Sequence, residues 1–348
     1  MTFSETILSW YRENKRELPW RDTKDPYRIW LSEIILQQTR IAQGTPYYEK
    51  FLANFPTIEH LSNATEAEVL KLWQGLGYYS RARNLHATSK TVVQKYGGKF
   101  PSNYIELMGL KGIGDYTASA IASICFDEPR AVVDGNVYRV LSRYFGVEIP
   151  INSTKGVKYF KALAQSVMDA EHIGDYNQGT MEFGAVQCVP KSPDCPRCPL
   201  NKSCLALQKN LVDRLPVKMG RIKVRKRYFN YLVVMDRAGK TQLRQRLGKG
   251  IWENLYEFPK LDSDRELKQK QVESSLSEVL QLEEPPLVYQ YGKGQVVHKL
   301  SHLHLHTKFW VVETCAELKN GVALSDLEHY PVPVLVANFI SSFKNHYF

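Results

Sequence analysis

The sequence predicts a mainly α region over residues 1–213, a basic linker over 214–228 and a compact α+β domain over 229–348. Three observations carry that division. The first part alternates apolar, helix-forming runs with breakers such as Phe55-Pro56, Gly75-Leu76-Gly77, Gly97-Gly98 and Phe100-Pro101. Seven basic residues and no acid then lie between Arg214 and Arg227. After them the texture turns β-rich over 228–235, followed by a turn at Asp236-Arg237-Ala238-Gly239-Lys240. A chain of 348 residues is long enough for two domains with separate cores.

Asp25-Pro26 is a helix start, with Asp as N-cap and Pro at the first helical position. The run over 27–38 is apolar on most sides, which suits a helix buried in a bundle. Further helices are predicted over 45–55, 66–72, 82–96, 103–108, 116–124, 136–145 and 155–168. In the second part strands are predicted over 241–246, 287–291, 302–307 and 309–313, with one helix over 264–280.

Hydrophobic content of 43% and charged content of 24% are those of a globular chain. No apolar run reaches the roughly 18 residues that span a membrane. The first residues, Met1-Thr2-Phe3-Ser4-Glu5, lack a basic region and an apolar core, so no signal peptide and a cytoplasmic location are expected. The net charge is +10, and the segment 214–227 alone supplies seven of those charges. Charge by itself leaves a solvated linker and a polyanion contact equally open.

Leu110-Lys111-Gly112-Ile113-Gly114-Asp115-Tyr116-Thr117-Ala118 reads as a tight turn that opens directly into a helix. Gly112 and Gly114 allow positive φ and remove Cβ atoms, so backbone N–H groups can approach a phosphate. Val133-Asp134-Gly135 places one acid at the start of the next helical run. If Asp134 or Asn136 caps that helix, its N-terminus keeps Asp134 ionised. A fixed anion there could stabilise a cationic sugar, whereas a plain N-cap aspartate would do nothing more than cap.

Cys188, Cys195, Cys198 and Cys204 have the spacing C-x6-C-x2-C-x5-C. Four of the six cysteines fall within seventeen positions, a pattern that points to metal or cluster ligation in a reducing compartment. Four thiolates suit a tetrahedral zinc site or an iron–sulfur cluster, and zinc sites of four cysteines are the commoner. Cys125 and Cys315 stand alone and are expected to be buried small apolar residues. Glu33 is the only acid within 29–36. Buried there it would have a raised pKa and act as a general acid near neutrality, while periodicity alone gives an exposed polar position equal weight.

At the hairpin residues and Asp134 the chain resembles the helix-hairpin-helix DNA glycosylases. The cysteine spacing resembles the [4Fe–4S] loop of the endonuclease III and MutY branch. Leu31-Ser32-Glu33-Ile34-Ile35-Leu36-Gln37-Gln38-Thr39 looks like the motif of the MutY adenine glycosylases, in which the glutamate is catalytic. The resemblance implies a helix-hairpin-helix glycosylase fold with a six-helix barrel-like module and an iron–sulfur helical module. In it the hairpin falls at about 105–125 and the cluster loop at 188–204. An α+β Nudix-like lesion-recognition domain follows.

The implied activity is base-excision repair: hydrolysis of the N-glycosidic bond of adenine paired with 8-oxoguanine or guanine in double-stranded DNA. Glu33 would protonate the adenine and Asp134 would stabilise the sugar, with Tyr116 and Asn136 orienting them. Tyr116 takes the place of the lysine with which the strand-nicking branch forms a Schiff base, so a monofunctional enzyme is implied. Lys111 lies where many relatives have proline. Arg16, Leu18, Trp20, Arg21 and Leu36 match the pocket for the flipped adenine, and Gln178 falls where some relatives have glutamate. Gln38, Thr39, Leu76 and Tyr78 match positions reaching the opposite base, with Tyr78 as a wedge. Gly112, Gly114, Lys191 and Arg197 would touch phosphate.

In the C-terminal part, Arg265-Glu266 is followed by Leu267-Lys268-Gln269-Lys270, without the clustered glutamates of a Nudix hydrolase. That domain is therefore expected to read 8-oxoguanine without pyrophosphatase activity. Leu300-Ser301-His302 stands where relatives carry Phe-Ser-His, so Ser301 would meet the N7–H edge of the lesion and His302 a phosphate. His302, His304 and His306 alternate along one predicted strand face, where a solvated polar face outweighs a metal site. A nucleoid-associated monomer that makes no membrane contact is expected, and the resemblance allows sliding-clamp or mismatch-repair partners. Two rival readings are an endonuclease III-like lyase acting on oxidised pyrimidines and a catalytically silent iron–sulfur DNA-binding protein. Tyr116 and the long C-terminal domain argue against the first, and intact Glu33 and Asp134 against the second.

Overall fold

The computed structural model describes residues 1–220, 224–280 and 284–347; Arg221 and Lys223 of the basic run lie outside them. Contacts divide the chain into two units, residues 1–63 with 84–220, and residues 64–83 with 221–348.

The first helix, α1 (Phe3–Asn14), starts from a capping box in which Thr2 and Glu5 satisfy each other's backbone N–H groups. Then come α2 (Pro26–Leu36), α3 (Ile41–Asn54), α4 (Ile58–Asn63), α5 (Glu66–Leu72), α6 (Ser80–Tyr96), α7 (Tyr104–Met108) and α8 (Asp115–Phe126). The helical series ends with α9 (Gly135–Tyr144), α10 (Thr154–Val167), α11 (Ile173–Val186) and α12 (Leu205–Gln208). Asp25 caps α2 as predicted, accepting from the Tyr27 N–H. Seven of the eleven residues of α2 are buried, including Ile29, Trp30, Leu31, Ile34 and Ile35. That burial fixes α2 against α3 and α8, so its few polar side chains must find a place inside the first unit.

α11 packs on α1, α8 and α9, and its glycines set how closely it does so. A Cβ on Gly184 would lie 2.7 Å from the Asn136 Cβ and 2.9 Å from the Asn136 carbonyl oxygen. On Gly179 it would lie 3.1 Å from the Tyr11 Cβ, and on Gly174 3.3 Å from the Ile124 Cα. The same glycines, with a His172 N-cap whose side chain bonds none of the helix N–H groups, hide this helix from a propensity reading. It is absent from the predicted elements, as is α1.

The second unit is built on a seven-stranded sheet of path β6-β8-β1-β2-β9, with β5 paired to β1 and β7 to β8. Its strands are β1 (Arg225–Met235), β2 (Lys240–Thr241), β5 (Lys260–Ser263), β6 (Leu287–Gln290), β7 (Val296–Lys299), β8 (Leu303–Glu313) and β9 (Val322–Ala323). A separate ribbon pairs β3 (Arg244–Gln245) with β4 (Tyr256–Glu257). β1 and β8 run parallel in register from Arg225↔Leu303 to Met235↔Glu313. One sheet face (Leu232, Val234, Trp310, Val312) buries against Val272 and Leu276 of the α13 (Gln269–Ser274) segment. The other meets α14 (Val334–Tyr347), where Phe339 stacks on Phe309 at 3.9 Å.

Predicted and observed elements differ where a charge or a turn overrides the pattern. The two strands predicted over 302–307 and 309–313 are the single strand β8, because Lys308 turns its ammonium to Glu266 at 2.7 Å instead of ending the strand. His302 lies in the turn before it, so the predicted row of three histidines reduces to His304 and His306, and His306 stacks on Tyr228. The strand predicted over 241–246 is divided between β2 and β3. The helix predicted over 264–280 shrinks to α13 and a short 3₁₀ turn, since Ser263 bonds the Arg265 carbonyl and holds 264–268 as loop.

A test of the α11 packing is Gly184→Ala. Helix propensity alone would favour alanine by about 1 kcal/mol. The close approach to Asn136 reverses the sign, and urea unfolding is predicted to show a net loss of about 1–3 kcal/mol.

Candidate active site

Asp134 is the N-cap of α9. Its Oδ1 accepts from the backbone N–H groups of Asn136 and Val137, both at 2.8 Å, and its Oδ2 from the Asn136 side-chain amide at 2.7 Å. Burial nevertheless lifts the Asp134 pKa, and these hydrogen bonds only partly draw it back. The cap is the one the sequence suggested for Asp134; desolvation opposes it, and three donors favour the carboxylate.

Asn136 is itself held. Arg139 Nη2 donates to Asn136 Oδ1 at 2.8 Å and to the Gly184 carbonyl at 2.6 Å, and its Nε donates to the Cys188 carbonyl at 2.7 Å. One buried guanidinium thus joins the Asp134 cap, α11 and the start of the cysteine loop. One turn further along α9, Arg143 donates to the Val189 and Pro190 carbonyls at 2.8 and 3.1 Å and lies 3.4 Å from Cys188 Sγ.

Glu33 projects from α2 into a cavity of about 190 Å³. The same wall carries Arg16, Leu18, Trp20, Arg21, Leu36, Thr39, Tyr116, Asp134, Asn136 and Gln178, residues predicted from distant parts of the sequence. Burial pushes the Glu33 pKa up to about 7, with Asp134 adding to the rise and the Tyr116 hydroxyl opposing it. Burial likewise raises Tyr116 well above the ordinary phenol range. Its hydroxyl faces Glu33 and donates to the Met181 sulfur at 3.2 Å. A protonated carboxyl is therefore available at neutral pH beside a capped aspartate.

The sequence reading missed Glu182, which lines this cavity from α11. It binds both Arg16 and Arg21. A lone acid within Gly179-Thr180-Met181-Glu182-Phe183-Gly184 was the available signal, parallel to that of Glu33. Gln178, one turn earlier, accepts from the Tyr11 hydroxyl at 3.4 Å.

A neighbouring cavity of about 510 Å³ is lined by Glu33, Leu36, Gln37, Gln38, Gly114, Asp115, Tyr116, Thr117, Asp134 and Gly135. Gly112 has φ +79°, and a Cβ there would sit 2.6 Å from that of Asn84. Gly114 is extended at φ −95°, contrary to the expected freedom, and caps α8 with open space around its Cα. The first residues of α8, Asp115, Tyr116 and Thr117, line the cavity that Asp134 also lines, and the opening turn of a helix carries N–H groups without intrahelical partners. Gln38 is exposed with φ +56°, whereas Thr39 lines the smaller cavity.

Cys188, Cys195, Cys198 and Cys204 line a third, small cavity of about 30 Å³. Among the described residues no group of three or more His, Cys, Asp or Glu side chains is arranged to hold one metal ion. The four sulfurs instead surround a space, and burial pushes the Cys198 thiol up to about 11 and raises those of Cys195 and Cys204. That donor set, with the Arg143 cation against Cys188, fits a multi-atom group that takes up thiolates. Lys191 is exposed on this loop, and Arg197 stands exposed with a loose ion pair to Asp194 at 3.7 Å. Cys125 is half-buried, and burial pushes its thiol up to about 12. Cys315 is exposed beside Arg237, which corrects the expectation of burial.

In the second unit, Tyr78 is 50% exposed at φ +48°, between Gly77 and the Arg81 guanidinium. Leu76, two residues before it, is buried. Ser301 and His302 are exposed in the β7–β8 turn, with Ser301 Oγ 3.3 Å from His302 Nδ1.

Residues 31–168 match the family described as HhH-GPD superfamily base excision DNA repair protein, and residues 230–342 match the NUDIX domain. With the helical fold and the carboxylate-lined cavity, this defines a DNA glycosylase. An adenine DNA glycosylase of Buchnera aphidicola subsp. Acyrthosiphon pisum is 31% identical, with 99% of each chain covered. The chain belongs to the adenine DNA glycosylase family, as a MutY-type enzyme with a Nudix-like C-terminal domain. The adenine DNA glycosylase of Homo sapiens is 43% identical over 60% of this chain and 40% of that protein. Among solved structures, a thermostable thymine-DNA glycosylase is 33% identical with a TM-score of 0.56, covering 60% of this chain and 95% of that one. Endonuclease III in a trapped covalent intermediate with DNA shares the fold at 22% identity and a TM-score of 0.52, over 60% of this chain and 95% of that one. No described helix is long and apolar enough to cross a membrane.

The Arg139 link makes a prediction. Arg139→Leu strands these three acceptors, that of Gly184 buried and the other two partly so, and unfolding should lose about 2–4 kcal/mol. Base release per folded molecule should also slow, because Asn136 no longer has a fixed partner; an unchanged single-turnover rate would count against the link.

Proposed function

We propose that this enzyme releases adenine paired with 8-oxoguanine or guanine, and does so as a monofunctional hydrolase. The observation that carries the reading is the pair of carboxylates on one cavity wall, one of them protonated near neutrality. Adenine leaves poorly as an anion. The Glu33 carboxyl gives its proton to N7 of the flipped base, and the C1′–N9 bonding pair departs with a neutral adenine. Asp134 faces the oxocarbenium sugar left behind. Water then adds to C1′, and its proton returns to the Glu33 carboxylate. Asn136 and Tyr116 hold these groups by the contacts already described. No lysine is among the residues lining either cavity around Glu33, which supports hydrolysis over a Schiff-base lyase.

Arg16, Leu18, Trp20, Arg21, Leu36 and Gln178 would enclose the extruded adenine. Gln38, Thr39 and Tyr78 would serve the opposite strand, and Ser301 with His302 the lesion. The backbone N–H groups at Gly112 and Gly114, with Lys191 and Arg197, would take phosphates. Cys188, Cys195, Cys198 and Cys204 would hold a [4Fe–4S] cluster, with the cavity they line as the supporting observation. Bound there, it supplies a brace for the loop rather than chemistry on the sugar.

The test is single-turnover cleavage of a duplex with one A:8-oxoguanine pair. Strand breaks should appear only after alkali, and Glu33→Gln should slow base release by about 10²–10⁴-fold. The sign of the pH dependence follows from the acid role. Glu33 is protonated below its pKa of about 7, so the rate should be highest there and fall as pH rises through that value. Breaks without alkali would point to a lyase, and no adenine release to a silent DNA-binding protein.

A further inference from the structure

Glu182 belongs to neither catalytic carboxylate position, yet its side chain is only 2% exposed on the wall of the Glu33 cavity. Four N–H groups converge on it. Its Oε1 accepts from the Arg16 backbone N–H at 3.1 Å and from Arg16 Nε at 2.6 Å. Its Oε2 accepts from Arg16 Nη2 at 2.7 Å and Arg21 Nη2 at 2.6 Å. Arg21 Nη1 in turn donates to the Arg16 carbonyl at 2.6 Å, and the Arg21 guanidinium lies 5.5 Å from the Tyr11 ring centroid. Burial would raise the Glu182 pKa, but the two arginines win and hold it at about 2. A carboxylate so saturated has no proton to give and no free lone pair with which to take one.

The arginines are less completely used. Arg16 Nη1 and Arg21 Nε have no acceptor among the described residues, although both side chains line the cavity. Guanidinium N–H groups in a fixed fork match the ring-nitrogen acceptors of a purine. We propose that Glu182 is a positioning residue of the base pocket, which holds both guanidinium groups so that their unused N–H donors meet the extruded base. This rests on the reading that the cavity takes the adenine.

The same contact has an electrostatic consequence. The charged or titratable groups lining the cavity are Arg16 and Arg21 from the segment after α1, Glu33 from α2, Tyr116 from α8, Asp134 before α9 and Glu182 from α11. Arg21, Glu182, Asp22 and Asp175 all lie within electrostatic reach of Tyr11, and Glu33 within reach of Cys125. Without Glu182, two uncompensated cations would favour the Glu33 carboxylate and lower its pKa. On this proposal Glu182 screens Glu33 from the two guanidinium charges.

The experiment compares Glu182→Gln with its parent in a Glu33→Gln background, which binds without cleaving. Affinity is measured for an A:8-oxoguanine duplex and for the same duplex with a tetrahydrofuran abasic analogue in place of the adenosine. The adenine duplex should bind about tenfold or more weakly, and the abasic duplex unchanged. An equal loss on both, or none on either, overturns the proposal. If Glu182→Gln fails to fold, Glu182→Gln with Arg21→Gln removes the stranded cation; it should fold and keep the adenine-specific defect, and recovered affinity overturns the proposal. With Glu33 intact, the rate of Glu182→Gln relative to wild type should worsen from about pH 6 to pH 8; a ratio independent of pH overturns the electrostatic part. If the wild-type rate itself shows no fall through neutrality, the acid role of Glu33 fails, while the affinity comparison still decides the role of Glu182.

Discussion

Helix α9 begins at Asp134, and the cap made there organises the chemistry of the first unit. A carboxylate that accepts three hydrogen bonds at a helix N-terminus has one orientation, so in the proposed reaction it would need no rearrangement as charge develops on the sugar. Keeping that geometry requires Asn136 to stay put, and Arg139 holds it while also holding Gly184 and Cys188. The absence of a side chain at Gly184 lets α11 come close enough for that bond. Cap, helix packing and cysteine loop are thus one connected arrangement, with Arg143 extending it by a turn.

The two carboxylates to which we assign the chemistry are distinguished by environment rather than by type. Burial raises both, but Asp134 meets three donors, whereas Glu33 meets the single hydroxyl of Tyr116 on a helix whose other residues are nearly all apolar. A third carboxylate in the same cavity, Glu182, is driven the other way by two guanidinium groups. Within one pocket, Glu33 at about 7 is poised to exchange a proton near neutrality, while Glu182 is held at about 2.

Much of this was legible in the chain. The Asp25-Pro26 start, the apolar run around Glu33, the glycine turn before Tyr116 and the Val133-Asp134-Gly135 start each carry a local physical signature, and their elements form where those signatures lie. That Glu33 and Asp134 share a cavity came from resemblance, because spacing cannot say which helices meet. α11 stayed hidden for a physical reason: its glycines lower helix propensity and find their use only in tertiary contact with Tyr11, Ile124 and Asn136. Glu182 was hidden with it. α1 carried a readable capping box at Thr2 and Glu5 that was passed over. In the second unit, Lys308 looked like a strand end because the partner that neutralises it, Glu266, lies forty-two positions earlier.

The central claim is that burial makes Glu33 a neutral-pH acid. The most direct measurement is the titration of its side-chain carboxyl by ¹³C NMR in selectively labelled protein, with the signal assigned by its loss in Glu33→Gln. A midpoint at about 7 is the result this account predicts. A midpoint near the ordinary glutamate value of about 4.3 would contradict it, because a carboxylate already ionised at neutrality has no proton for the leaving base.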